Sequence, residues 1–186
     1  RYKEYHGINV IGTRNVLAAC AAQFVPILVY TSTPSVVFDG HDIEGGDETL
    51  PYASRPLCHY AATKIIAEQE VLRANSERLR TVAIRPHLVW GPGDTNLIPR
   101  LLARGRARSL RVVGDGYNRV DIAYLDNVVH AHLLAEANLR ATATAAGKAF
   151  FIGQHMPEQL WMWINEFFVR MKVPIVRKRI HLSDAK

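Results

Sequence analysis

Residues 26–35 read Pro-Ile-Leu-Val-Tyr-Thr-Ser-Thr-Pro-Ser, and this stretch decides the architecture. Pro26-Ile-Leu-Val-Tyr-Thr31 is a short, continuous apolar run, the pattern of a strand buried on both faces rather than one alternating between core and solvent. It stops at Ser32-Thr33-Pro34-Ser35, where Pro34 has no N–H to continue a ladder. Upstream, residues 8–22 predict a helix whose small side chains suit close packing on a sheet. Downstream, after a Gly-, Asp- and Pro-rich loop at 39–58 of a length usually reserved for function, the Gly- and Pro-free run Ala61–Ala74 predicts a second helix. Thr81-Val-Ala-Ile-Arg85, stopped by Pro86, predicts a second buried strand. Alternation of this kind argues for a parallel α/β sheet with right-handed crossovers. Ligands bind such sheets beyond the carboxyl ends of the strands, so Thr33, Pro86 and His87 fall on one rim.

The rest of the chain continues the pattern. Gly91-Pro-Gly-Asp94 is a turn, followed by a helix at about 97–107, a strand at 110–113 and a turn at Gly114-Asp-Gly116. Residues 120–124 are extended, and Asp126 reads as the N-cap of a helix reaching about Arg140. An Ala/Thr linker at 141–146 leads to a strand at 149–152 and a helix at 158–172 carrying Trp161, Trp163, Phe167 and Phe168. At helical spacing such an aromatic stripe is more often core than a ligand surface.

The 186 residues, 48% of them hydrophobic and 22% charged, make one domain-sized globular chain. No apolar run is long enough for a membrane span, and Arg1-Tyr-Lys-Glu4 is no signal peptide. Cys20 and Cys58 make no disulfide framework, which favours a reducing, cytoplasmic setting. The net charge of +6 concentrates in residues 100–111 and 177–179. Neither cluster interleaves aromatics as single-strand binders do, so solvated surface is favoured over nucleic acid, with an anionic substrate or a membrane surface as the other options. His130 and His132, two apart on a helix, point to different sides and fit no common metal. Asp42, Glu44, Asp47 and Glu48 match no calcium loop, and no metal site is expected.

The chemistry is carried by Tyr60-Ala-Ala-Thr-Lys64. Positions i and i+4 share a helix face, and an ammonium beside a phenol favours the phenolate, bringing a poor base toward its working range. A lone pair at this spacing is weak evidence; a threonine hydroxyl at the strand end on the same rim strengthens it.

In this order and context the chain resembles the extended short-chain dehydrogenase/reductases. It is most similar to the 3β-hydroxysteroid dehydrogenase/isomerase group, including sterol-4-carboxylate 3-dehydrogenases. The matching segments are Asn9–Cys20, Val29–Phe38, Tyr60–Lys64, Ile84–Asp94 and Gly114–His132. The resemblance implies the C-terminal part of a doubly wound Rossmann-type sheet, with a partial dinucleotide-binding domain at 1–150, an excursion into the substrate region near 87–125, and more of that region at 151–186. It implies NAD or NADP as cofactor. Tyr60 would be the base that takes a secondary alcohol's proton as hydride leaves for the nicotinamide, Lys64 would hold the nicotinamide ribose and depress the Tyr60 pKa, and Thr33 would bind the substrate oxygen. It further places Asn9, Thr31, Ser32, Pro86, His87, Leu88 and Val89 near the cofactor, and Pro34, Ser35, Leu88, Asn96 and Arg119 with Thr33 near the substrate. Helices flanking the sheet would pair into a homodimer.

Two departures shape the expectation. Nucleotide-sugar members of the family often carry Arg-Asp where this chain has Val120-Asp121, and asparagine near Leu88. Loss of both donors favours a hydrophobic, sterol-like substrate over a sugar diphosphate. A nucleotide-sugar epimerase, dehydratase or reductase is the alternative enzyme, and a non-catalytic binding protein the alternative class. The glycine-rich phosphate turn that opens such folds is absent from the sequence, so the chain reads as a fragment that would be inactive alone.

Overall fold

A computed structural model describes residues 1–154 and 156–184; His155 and the last two residues lie outside the described residues. Two compact units share the chain. The first comprises Arg1–His87 and Asn127–Ile152, the second Leu88–Asp126 and the residues from Gly153 onward.

The first unit is built on a three-stranded parallel sheet in the order β1 (Ile27–Thr31), β2 (Arg80–Pro86), β5 (Lys148–Ile152), with Val29 opposite Val82 and Ile84 opposite Phe150. Side-chain alternation gives the sheet two faces. Ile27, Val29, Val82, Ile84, Phe150 and Ile152 pack with Ala135 and Leu139 of helix α5 (Leu125–Arg140). The opposite face carries Leu28, Tyr30, Ala83 and Arg85 toward helix α3 (His59–Arg73), whose Thr63, Lys64, Ala67, Glu68 and Val71 are buried. Asp126 lies inside the first turn of α5 rather than before it, so it is not the N-cap that its spacing suggested; its carboxylate still favours that helix end.

The N-terminal helix is longer and less regular than its sequence pattern. It begins as α1 (Tyr2–Tyr5), passes through a π-helical turn at His6–Ile11 bracketed by Gly7 and Gly12, and continues as α2 (Gly12–Ala22). Such insertions widen one turn and re-aim side chains, often at functional sites. Here Asn9 lies within the turn, and its Nδ2 donates to Thr63 Oγ1 of α3 at 2.9 Å.

A buried ion pair joins α3 to β2. Arg85 forks onto Glu68, Nε reaching both carboxylate oxygens at 3.1–3.2 Å and Nη2 reaching Oε1 at 2.5 Å. Tyr52, from the long loop, donates its hydroxyl to Glu68 Oε1 at 2.8 Å, and the guanidinium lies over the Tyr52 and Phe151 rings. The same loop is tied at a second point, where the Phe151 N–H donates to Glu48. A loop read as irregular from its composition is therefore pinned by the carboxylate of Glu48 and the phenol of Tyr52.

The second unit holds helix α4 (Leu97–Arg106), a parallel pair β3 (Val112–Val113) with β7 (Arg179–Ile180), an antiparallel pair β4 (Arg119–Val120) with β6 (Glu158–Gln159), and helix α6 (Leu160–Arg170). Glu158 is thus a strand residue, and the helix expected at 158–172 is shorter at both ends. The antiparallel pair departs from the all-parallel expectation; two-residue ladders leave no periodicity to read. Asp94 caps α4 from two residues upstream of Asn96, accepting from the N–H groups of Asn96, Leu97 and Ile98 at 2.7–3.1 Å, which holds its carboxyl below the usual range.

The aromatic stripe of α6 is core. Ile164 and Phe168 close on Val112, Val173 and Val176, while Trp163 and Phe167 stack beside Trp90. Gly105 of α4 lets this happen, because a Cβ there would stand 2.5 Å from the Phe168 ring and 2.8 Å from Val173. Alanine would gain helix propensity of about 1 kcal/mol but force a fully buried ring aside, a cost of about 1–3 kcal/mol. Gly105→Ala should therefore lower stability by roughly 1 kcal/mol, read as a fall in the urea midpoint.

Candidate active site

The carboxyl ends of β1 and β2 form the rim on which the chemistry collects. Thr33 follows β1 as the N-cap of a short 3₁₀ turn (Pro34–Val36), and its Oγ1 accepts from the Ser35 N–H at 3.3 Å and donates to Ser35 Oγ at 3.2 Å. Tyr60 stands in the first turn of α3, after Cys58, whose extended backbone makes the N-cap. Burial holds the Tyr60 phenol above its ordinary value, and the nearby Thr33 side chain pulls the other way. Tyr60 keeps 37% of its surface exposed, and Tyr5 meets its ring edge-on with centroids 6.1 Å apart. Thr33 and Tyr60 therefore lie on the same side of the sheet, with Tyr60 partly exposed.

Lys64, one turn along α3, is 8% exposed. Its Nζ donates to the Tyr30 hydroxyl at 2.6 Å and the Thr31 carbonyl at 2.7 Å, and sits 4.1 Å from the Tyr30 ring centroid. Burial pushes the ammonium down to about 8, against a smaller upward pull from Glu68. The expectation that Lys64 would depress the Tyr60 pKa is not met. Tyr60 moves up, with desolvation as the largest cause, and the ammonium is engaged by Tyr30 and Thr31 instead. Helical spacing put the two side chains on one face but could not foresee a competing acceptor from a strand 34 residues away.

Thr31 joins the site through its backbone. Its side chain belongs to the α5 face of the sheet, where Oγ1 meets His132 Nε2 at 2.8 Å. Because His132 Nδ1 lies 2.7 Å from the Val128 carbonyl, which only accepts, Nδ1 carries the proton and Nε2 accepts from Thr31. The Thr31 hydroxyl is thus engaged by His132, and its carbonyl by Lys64. Ser32 is buried with its N–H bonded to the Ile84 carbonyl at 2.6 Å, and its Oγ has no protein partner. Asn9, spent on Thr63, lines with Thr13, Tyr30 and Lys64 a groove of about 360 Å³.

The remaining expected residues are divided between the units. Pro34, Ser35, Pro86 and His87 lie on the rim in the first; Leu88, Val89, Asn96 and Arg119 belong to the second. Leu88 adopts a left-handed backbone (φ 40°), costly for a bulky side chain. The Asn96 N–H is committed to Asp94, and Arg119 is exposed on β4 opposite Gln159. Tyr30, His132 and Thr13 are the residues missed by sequence reasoning. Period-2 alternation could have placed Tyr30 on the α3 face opposite Val29, but only the fold brings Lys64 to it. No group of His, Cys, Asp or Glu among the described residues could hold a metal, and no described helix is long and apolar enough to cross a membrane.

Comparison with known proteins gives consistent relatives. The chain is 49% identical over 186 residues to a 2-alkyl-3-oxoalkanoate reductase of Stenotrophomonas maltophilia, covering 99% of this chain and 56% of that protein. It is 42% identical over 164 residues to the human decarboxylating sterol-4-alpha-carboxylate 3-dehydrogenase, covering 87% and 44%. The fold matches the UDP-Glc/GlcNAc 4-epimerase of Campylobacter jejuni with a TM-score of 0.76 at 18% identity, over 97% of this chain and 59% of that one. It also matches a Bacillus cereus UDP-glucuronic acid 4-epimerase solved with NAD, with a TM-score of 0.73 at 20% identity, over 93% and 56%. The chain spans about half the length of the relatives it matches. The model of the 3-beta hydroxysteroid dehydrogenase/isomerase family matches residues 1–182. With the parallel sheet and the shared rim of Thr33 and Tyr60, this match shows that the chain belongs to the 3-beta hydroxysteroid dehydrogenase/isomerase family.

Proposed function

We propose that, in the whole protein, Thr33, Tyr60 and Lys64 interconvert a secondary alcohol and a ketone on a hydrophobic substrate, with NAD or NADP as hydride carrier. The observation that carries this is the placement of part-exposed Tyr60, at the start of α3, near Thr33 after β1 and one helical turn from a buried ammonium. The rim suits the ribose and nicotinamide end of such a cofactor. Lys64 has a third N–H beyond its two acceptors, and the buried Ser32 Oγ is without a protein partner. When bound, the cofactor supplies or accepts the hydride.

The residues supply the proton. With its pKa above the ordinary value, Tyr60 rests as a neutral phenol and is ready to donate to the oxygen of a ketone. Thr33 Oγ1 orients that oxygen beside it, and Lys64 places positive charge where negative charge develops. In the reverse direction the same phenol must first lose its proton, so alcohol oxidation is the slower direction near neutrality and gains with pH. Relatives named as a 2-alkyl-3-oxoalkanoate reductase and as a sterol-4-alpha-carboxylate 3-dehydrogenase support a reading of this kind. An apolar substrate is favoured over a sugar diphosphate because the sequence has Leu88 and Val120 where nucleotide-sugar members of the family often carry asparagine and arginine.

NAD(P)H consumption by the whole protein with a panel of hydrophobic 3-oxo compounds, against NADH formation with sterols and UDP-sugars, tests the reading. Turnover confined to the sugars would overturn the substrate class, and none with either would overturn the enzyme. Lys64 is charged below its pKa and loses that charge through about 8. Ketone reduction should accordingly fall as pH rises through that value, seen in the kcat/KM profile.

A further inference from the structure

Lys64 is held by one side chain and one backbone carbonyl, both from outside its own helix. Removal of a lysine ammonium from water is costly unless acceptors replace the lost hydration. Tyr30 answers that need twice, by its hydroxyl at 2.6 Å and by its ring face at 4.1 Å. Burial pushes the Tyr30 phenol up, the side chain of buried Thr13 on α2 pulls it the other way, and both line the groove with Lys64. A phenylalanine would fill the same space in β1. The hydroxyl is the part that packing does not explain.

We infer that Tyr30 is a positioning residue for Lys64, its hydroxyl fixing the ammonium at the carboxyl end of β1, one helical turn from Tyr60. The inference rests on the role proposed above for Lys64, and it makes the amine's availability depend on β1 and α2 rather than on α3 alone. The titratable or charged groups around Lys64 are Glu68 and Tyr60 on α3 and Tyr30 on β1; Asn9 and Thr13 present neutral side chains. Glu68 is bound by Arg85 and Tyr52, which leaves the Tyr30 hydroxyl and the Thr31 carbonyl as the acceptors in direct contact. Loss of the hydroxyl destabilises the charged amine relative to the neutral one, so the lysine should release its proton more easily.

Tyr30→Phe in the whole protein deletes the hydroxyl and keeps the ring. Acetylation by acetic anhydride across a pH series, read by peptide mass spectrometry, follows Lys64 without requiring turnover. The Lys64 midpoint should fall by about one unit and its labelling at pH 7 rise about fivefold, with the circular-dichroism spectrum and the labelling of exposed Lys148 unchanged. In the active protein the upper limb of the kcat/KM profile should move down with it. Thr13→Val, which strips the hydroxyl behind Tyr30, should produce a smaller rise in Lys64 labelling. An unchanged Lys64 titration in folded Tyr30→Phe protein would overturn the inference. If that variant does not fold, unchanged labelling in Thr13→Val overturns it instead. A whole protein that turns over no ketone or alcohol would refute the proposed function while leaving the Lys64 titration readable, so the two failures are distinct.

Discussion

Tyr60→Phe should lower turnover of the whole protein by about 10²–10⁴-fold, the usual contribution of a positioned proton donor or acceptor. The ring stays, so its edge-on contact with Tyr5 and the packing of the α3 N-terminus persist, and the melting temperature should hold. What goes is the hydroxyl near Thr33. Cofactor affinity, followed by calorimetry, should be nearly unchanged, since Lys64 keeps its partners Tyr30 and Thr31. The loss should therefore fall on kcat and kcat/KM together, the pattern of an interaction made in the transition state. Full activity in this variant would remove Tyr60 from the chemistry and with it the proposed reaction.

Glu68→Ala should be the most destabilising single change in the first unit, at about 3–5 kcal/mol. Glu68 and Arg85 are 0% and 4% exposed in their side chains, and the carboxylate accepts from both Arg85 and Tyr52. Alanine at 68 strands a buried guanidinium whose Nη1 already has no partner, and leaves the Tyr52 phenol without its acceptor. The phenol stays protonated in this setting, pushed up to about 12 first by burial and then by the carboxylate. Urea unfolding followed by circular dichroism should show the drop. A double change of Glu68→Met with Arg85→Leu should recover much of it, because paired removal avoids the unpaired buried charge. Equal losses in the single and double variants would show the pair to be packing rather than electrostatics. Since Tyr52 anchors the loop between Thr33 and Tyr60, the single variant should also loosen the site.

Much of this organisation is written locally. The apolar run at 26–31, the proline after it and the Gly-free run from Ala61 specify strand, stop and helix with little help from elsewhere. Their alternation leads to a parallel sheet with a rim where Thr33 and Tyr60 meet. The order of motifs from Asn9 to His132 likewise carried the family. These features are short-range, so sequence spacing and side-chain chemistry suffice to read them.

Partners across the chain are another matter. Which acceptor a buried ammonium finds, and whether a threonine presents its hydroxyl or its carbonyl, depend on strand register and helix placement. So Lys64 is turned to Tyr30 and not to the Tyr60 phenol, and Thr31 sends its hydroxyl to His132 on the far face. The π-helical turn at His6–Ile11, the short antiparallel pair in the second unit and the pinning of the 39–58 loop by Glu48 and Tyr52 are decisions of the same kind. The chain alone set the elements and the residue types at the rim. Packing set their protonation and their partners, because desolvation and hydrogen bonding are properties of an environment that residues far apart in sequence create together.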